Sequence, residues 1–122
     1  MDTATPQWAK NIAHDGFFES STQNTPTSLA CIKDAKKWFK EFVDSIGGKD
    51  LTFSIGHFEF SGFFTDKDGK IWYFSSCDMR GNIMKSMLVR TAKSYKDYTG
   101  GMNRWVGYGA DFHSTLMRMI GG

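Results

Sequence analysis

Hydrophobic residues change their spacing along this chain, from that of a helix to that of a strand. Over about residues 28–46 they recur every three or four positions, with lysine and acidic residues mainly between them, which predicts a helix with one buried face. Gly47 can end this helix in a left-handed turn. From residue 51 to residue 55 apolar and polar residues alternate, as in a half-buried strand. The helical residues expected in the core include Ile32, Phe39, Phe42 and Ile46.

Two aromatic-rich runs lie on either side of residues 66–69, which read Asp-Lys-Asp-Gly. Because glycine accepts a positive φ angle, an Asp-Gly pair between two such runs predicts a β-hairpin, here within residues 58–75. Before the hairpin the apolar positions shift by one residue at Gly56 and His57. A shift of one residue reverses the faces of a strand, so we expect a bulge or a tight bend there.

Residues 83–93 fit two structures, because their apolar residues have helical spacing but the segment follows a turn signal at residues 80–82. We favour a strand, since sequential strands usually pair. Residues 95–103, centred on a Gly-Gly pair, are predicted to form a loop. Residues 110–120 place four apolar residues on one face and predict a short C-terminal helix.

This order of elements predicts an α+β fold. An antiparallel meander of three to four strands is expected to pack against the helix at about 28–46 and the short helix at about 110–120. Residues 1–27 are predicted to form an N-terminal arm, which can hold a short helix starting at Pro6. Residues 28–122 are predicted to form a single α+β domain. The 11 Phe, 4 Tyr and 4 Trp residues are enough for a true core, which excludes a disordered chain.

The cysteines and the N-terminal sequence predict a reducing, cytoplasmic location. Cys31 and Cys77 are far apart and form neither a CxxC motif nor zinc-ligand spacing, so free thiols are favoured, with a single disulfide between them as the alternative. No basic segment followed by an apolar stretch marks a secretory signal, and no apolar run approaches the ~20 residues that span a bilayer. We therefore expect no membrane partner.

Motifs for catalysis and metal binding are missing from the sequence, and neither a metal site nor a cofactor is predicted. His57 with Glu59 could orient a general base, and Cys77 with Asp78 could supply a nucleophile and an acid. A polar stripe and a strand-end thiol explain these pairs more simply. Catalytic residues therefore stay unknown, and a protein without enzymatic activity is favoured.

Positive charge is concentrated in residues 80–105, which carry a net charge of +5, whereas the rest of the chain carries −3. Tyrosine and tryptophan residues are interleaved with the basic residues. Cations beside aromatic rings are typical of surfaces that contact phosphate groups and bases. The residues predicted to bind an anionic ligand are Arg80, Arg90, Lys93, Tyr95, Lys96, Tyr98, Arg104 and Trp105.

These features predict a small binding module that contacts nucleic acid or another anionic partner through segment 80–105. One alternative is a protein-interaction module, such as an inhibitor or accessory protein, that uses exposed aromatic residues. The second is a small enzyme or metabolite-binding protein with a pocket between sheet and helices. A homodimer formed through an edge strand is also compatible with the sequence.

Overall fold

The computed structural model describes residues 6–10, 26–55, 60–76, 86–108 and 111–121. A helical turn at residues 7–10 comes first. It is followed by α1 (Pro26–Ser45), β1 (Lys49–Ile55), β2 (Phe60–Thr65), β3 (Ile71–Ser75), β4 (Ser86–Ser94), β5 (Asp97–Gly100), β6 (Arg104–Gly107) and α2 (Phe112–Gly121). The predicted α+β architecture with an antiparallel sheet and two helices is confirmed. No helix in these described ranges has the length and apolar character needed to cross a membrane.

The sheet is an antiparallel meander in the order β1-β2-β3-β4, and β5 and β6 both pair with β4. Since β5 pairs with one end of β4 and β6 with the other, they fill a single fifth position in line with each other. Between the pairs Ala92–Gly100 and Val89–Arg104, β4 advances by three residues but its partner by four. The additional residue forms a bulge at residues 101–103, which we call the 101–103 bulge.

The predicted strand count of three to four is therefore too low, and the predicted loop at residues 95–103 is wrong in part. Only residues 95 and 96 form the turn, and β5 starts at residue 97. The Gly-Gly pair suggested a loop because glycine is common in turns. Here it lies in a bulged edge strand, another position in which glycine is common.

Helix α1 runs from Pro26 to Ser45, close to the predicted range. Phe39 and Phe42 are fully buried, as predicted, and Ile46 is partly buried. Gly47 has a φ angle of 73°, the left-handed conformation expected of a glycine that ends a helix. Trp38, which the helical pattern had not marked as a core residue, is 8% exposed and packs beside Phe42.

The predicted hairpin is formed by β2 and β3, and the favoured strand is β4. The turn between β2 and β3 has Gly69 at a φ angle of 86°. The bulge or bend predicted at Gly56 and His57 lies outside the described residues. Within β1 the described irregularity lies instead between Lys49 and Thr52.

Both helices cover the same face of the sheet. Phe39 of α1 stacks on Phe74 of β3 with ring centroids 4.2 Å apart, and α2 packs against β6. Trp8 from the N-terminal helical turn is also buried in this core, with its ring 5.3 Å from Phe112 and 5.9 Å from Tyr108. This layer leaves the β1 side and the β5–β6 side as the two edges of the described sheet.

Candidate anion-binding site

A cleft of about 230 Å³ lies at the β5–β6 edge, beside the 101–103 bulge and the C-terminal end of α2. We call it the basic cleft. It is lined by Lys70, Trp72, Arg90, Thr91, Met102, Arg104 and Met119. Three of these residues are cationic, and none of the described residues that line the cleft is acidic. Such a lining attracts anions, because a depression in a low-dielectric surface strengthens the field of its charges.

Arg90 fixes the shape of the 101–103 bulge. Its guanidinium group donates hydrogen bonds to the side-chain oxygen of Asn103 at 2.7 Å and to the carbonyl oxygen of Gly101 at 2.6 Å. A hydrogen bond from a charged donor is stronger than one between neutral groups. Arg90 therefore holds the chain that carries Arg104. Its pairing with Tyr73 places its side chain on the face of β4 opposite to that of Thr91.

Gly101 allows the bulge to approach β4 closely. A Cβ atom at this position would lie 2.3 Å from the hydroxyl oxygen of Thr91 and 2.6 Å from its carbonyl oxygen. Real side chains do not approach other atoms so closely, so the position accepts no side chain without moving the backbone. The bulge is thus fixed from both sides, by the absence of a Cβ at Gly101 and by Arg90.

The wall opposite the bulge is organised by Asp66 in the β2–β3 turn. Its carboxylate accepts hydrogen bonds from the backbone N–H groups of Asp68 and Lys70 and from the indole N–H of Trp72, each at 2.9 Å. The Trp72 ring is thereby held in place, and the Lys70 ammonium nitrogen lies 5.8 Å from its centroid. This distance is within the range of a cation–π interaction.

Burial alone would raise the pKa of Asp66. The hydrogen bonds from the Trp72 indole and from the backbone of Lys70 and Asp68, together with the charge of Lys70, outweigh burial and lower the pKa below its ordinary value. Asp66 is therefore ionised in the folded protein and stabilises the turn in that form.

Replacing Asp66 with alanine should lower the free energy of unfolding by about 2 kcal/mol at neutral pH, because three donors lose their charged acceptor. Since the folded-state pKa lies below the unfolded value of about 3.9, this stabilisation is complete above that pH and disappears as the pH falls through the folded-state pKa. Urea denaturation of both proteins at several pH values measures the difference. Asp68→Ala, an exposed change in the same turn, should alter stability by less than about 0.5 kcal/mol. An equal loss in both variants would contradict the role of Asp66.

The residues predicted from sequence have different environments in the structure. Tyr95 is half-buried, with its ring 5.5 Å from Phe63 and its hydroxyl group 2.7 Å from the Thr65 hydroxyl. Lys93 and Lys96 are exposed, and the Trp105 side chain is 40% exposed. The Tyr95 ring therefore covers the sheet, whereas the lysines and Trp105 are accessible to a ligand.

Only some of the predicted residues lie together. Arg104 pairs with Val89, and Trp105 pairs with Leu88, so their side chains point to opposite faces of the edge strand. Arg104 lies on the face covered by the helices, beside the basic cleft. The β3–β4 ladder ends at the Trp72–Thr91 pair, and Lys93 lies two residues beyond Thr91 on the same face of β4.

Several candidate residues cannot be placed in the site. Arg80 lies outside the described residues, as do Cys77, Asp78, His57 and Glu59. Tyr98 belongs to β5, so its backbone lies at the edge of the sheet. Among the described residues, no group of three or more metal-binding side chains is found.

The sequence did not indicate Lys70, Trp72, Met102 or Met119 as parts of this site. Lys70 and Trp72 were interpreted only as parts of the hairpin. The available signal was the strand register, since the Trp72–Thr91 pair brings the start of β3 beside the basic segment. Neither methionine belongs to a local pattern that indicates binding.

The accessible side chains at this edge include an apolar component. Met102 is 78% exposed, and Trp105 is 40% exposed. The β5–β6 edge therefore presents both the cationic residues of the basic cleft and the exposed ring of Trp105. Comparison of the chain with family models, with curated proteins and with solved structures finds no match, so the function must be inferred from this geometry.

Proposed function

We propose that this protein is a small non-enzymatic binding module that holds single-stranded nucleic acid along its β5–β6 edge. The observation that carries the proposal is the basic cleft, whose described lining includes Lys70, Arg90 and Arg104 and no acidic residue. Phosphate groups would contact the cleft, and a base would stack on the exposed Trp105 ring. Such stacking tolerates any sequence, because every base has a π-face.

The size of the cleft favours a polyanion over an enclosed metabolite. Pockets for drug-sized ligands usually measure about 300–1,000 Å³, whereas the basic cleft measures about 230 Å³. This space suits a single phosphate group better than a whole cofactor. The exposed Lys93 and Lys96 lie in β4 and in the turn after it, where they can contact neighbouring phosphates of the same strand.

The proposal is tested by fluorescence anisotropy, with a labelled single-stranded oligonucleotide titrated at several salt concentrations. Affinity should fall steeply as salt rises, because each neutralised phosphate releases counterions. Arg104→Ala and Lys93→Ala should each reduce the slope of log K against log salt by about 0.7. Trp105→Ala should weaken binding but leave the slope unchanged, since stacking releases no counterions.

Lys33→Ala and Lys37→Ala provide matched controls, because both lysines are exposed on α1 and neither lines the basic cleft. Each of these substitutions removes one positive charge, as Arg104→Ala and Lys93→Ala do, but it should barely affect oligonucleotide binding. If the control and cleft variants lost the same affinity, oligonucleotide binding would depend on the total charge of the protein and not on the basic cleft. Binding no tighter than about millimolar at low salt would contradict the proposal, since even non-specific binding reaches about 10⁻⁴ M.

A further inference from the structure

Trp105 and Asn103 lie at alternate positions of the β5–β6 edge, on the same face of the sheet. Trp105 pairs with Leu88, which is two residues from Arg90 in β4, so the Trp105 ring lies on the Arg90 face of the edge. Asn103 lies on that face as well, because its side-chain oxygen accepts the 2.7 Å hydrogen bond from the Arg90 guanidinium group. Alternate residues of a strand are about 6.6 Å apart. The ring and the amide group are therefore neighbours on the face opposite to Arg104.

Arg90 fixes the orientation of the Asn103 amide group. Because an arginine side chain carries only donors, the Asn103 atom that faces it is the oxygen Oδ1, and the Nδ2 group lies on the other branch of the amide. Among the described residues, no acceptor binds Nδ2. Nδ2 is not one of the buried polar atoms that lack a partner, so it is accessible to solvent. Asn103 therefore presents N–H donors at the surface, beside the Trp105 ring.

A base stacked on Trp105 would lie next to these donors. Arg104 and Trp105 are adjacent in β6 and point to opposite faces, so one nucleotide strand that crosses the edge can place a phosphate at the basic cleft and a base on Trp105. Stacking does not distinguish the bases, because every base has a π-face. Sequence is distinguished by hydrogen bonds to the edges of the bases. The Asn103 amide is placed to make such a bond.

The Asn103 amide favours bases that accept a hydrogen bond from it. Its Oδ1 atom already accepts a bond from the charged Arg90, so Nδ2 is the group that remains for a base. Thymine and uracil carry a carbonyl oxygen on each side of the ring nitrogen N3, so either orientation of the base offers an acceptor. Adenine has an amino group, itself a donor, where thymine has the O4 oxygen, and its usual contact with asparagine requires the amide oxygen as well.

We infer that Asn103 determines base preference, by donating a hydrogen bond from Nδ2 to a carbonyl oxygen of the thymine or uracil that stacks on Trp105. The inference rests on the proposed function, because it assigns a base to the same bound strand. Arg90 acts through Asn103 as a positioning residue. The cations of the basic cleft contact phosphates in any sequence, and Asn103 adds a preference for thymine or uracil over adenine.

The inference is tested by fluorescence anisotropy, with labelled oligothymidylate and oligoadenylate of equal length titrated into the full-length protein at one low salt concentration. The wild type should bind oligothymidylate at least about fivefold more tightly, the usual effect of one hydrogen bond. Backbone flexibility and base stacking also influence this ratio, so its change in a variant is decisive. Asn103→Asp keeps an acceptor for Arg90 but replaces the donor with a second acceptor, and it should lower the ratio about fivefold or more.

Two further variants separate base recognition from charge and from stacking. Lys96→Ala lowers the net charge by one, as Asn103→Asp does, at an exposed position. It should weaken binding of both oligonucleotides equally, because phosphate contacts carry no sequence information. Trp105→Ala should make Asn103→Asp without effect on the ratio, since the base is no longer held beside the amide. In NMR spectra of the wild type, the side-chain N–H signals of Asn103 should shift more with oligothymidylate than with oligoadenylate.

The possible results distinguish this inference from the proposed function. If Asn103→Asp had wild-type stability and an unchanged or higher ratio of the two affinities, the inference would be overturned, whereas salt-dependent binding would still support the proposed function. Equal NMR shifts of the Asn103 side chain with both oligonucleotides would also overturn it, whatever the stability of the variant. Absence of binding by both oligonucleotides would contradict the proposed function and the inference with it.

Discussion

Phe39→Ala should lower the free energy of unfolding by about 3–5 kcal/mol, the usual cost of deleting a buried ring. Phe39 is fully buried. Its ring stacks on Phe74 with centroids 4.2 Å apart and also lies 6.2 Å from Phe60. Because these rings belong to three different elements, the cavity could not close by the movement of one side chain. Urea denaturation followed by circular dichroism measures the change.

Phe63→Ala is the matched control for this prediction, because it deletes the same side chain from the other face of β2. Phe63 is only partly buried, so its loss exposes less new cavity surface and should cost clearly less than Phe39→Ala. A loss below about 1 kcal/mol for Phe39→Ala, or a larger loss for Phe63→Ala, would show that the packing between α1 and the sheet is not the main core.

Local patterns were sufficient to predict the helix, the hairpin and the fold class. The α1 pattern spans five turns, and Gly47 ends it by a conformation that few other residues adopt. The helical pattern missed Trp38 because it assumed that α1 buries a single row of apolar residues. Since α1 packs against both the sheet and α2, a wider part of its surface is buried. It contacts Phe39, Phe42 and Phe112, the last of which belongs to α2. Such contacts between distant elements leave no local signal.

The fifth strand position could not be predicted because its signals conflict locally. The residues of β6 include Trp105 and Val106, both common in strands, but two consecutive glycines precede them. The conflict is resolved by tertiary structure, since Gly101 passes close to Thr91 and Arg90 binds the bulge. A sequence cannot show which backbone a glycine will approach.

The candidate site was predicted in part: the charged segment was identified, but the arrangement of its side chains was not. The sequence identified the basic segment, but strand register decides which of its residues share a face. Arg104 and Trp105 are adjacent in sequence and point to opposite faces, whereas Lys70 is distant in sequence and lies with Arg104 at the basic cleft. Tyr95 was predicted as a stacking residue, and its ring packs on Phe63 of the same chain. The nucleic-acid hypothesis therefore now depends on the cleft and on Trp105.

Gly101→Ala should lower the free energy of unfolding by about 3 kcal/mol, because the new methyl group has no space. It would lie 2.3 Å from the Thr91 hydroxyl oxygen and 2.8 Å from the Thr91 backbone nitrogen, so β4 and the bulge must separate. Separation would weaken the hydrogen bonds that Arg90 donates to Gly101 and Asn103. Arg104 would then move away from the basic cleft, and oligonucleotide affinity should fall together with stability.

Gly107→Ala is the control in the same edge strand, since a Cβ at Gly107 would meet no atom within 4 Å. It should leave stability unchanged or raise it by about 0.4–1 kcal/mol, because alanine restricts the unfolded chain. Urea denaturation and the oligonucleotide titration are run on both variants. Full stability in Gly101→Ala would show that the bulge adapts to a side chain. If Gly101→Ala were destabilised but still bound the oligonucleotide with normal affinity and salt dependence, the bulge would be a structural feature that does not position Arg104 for binding.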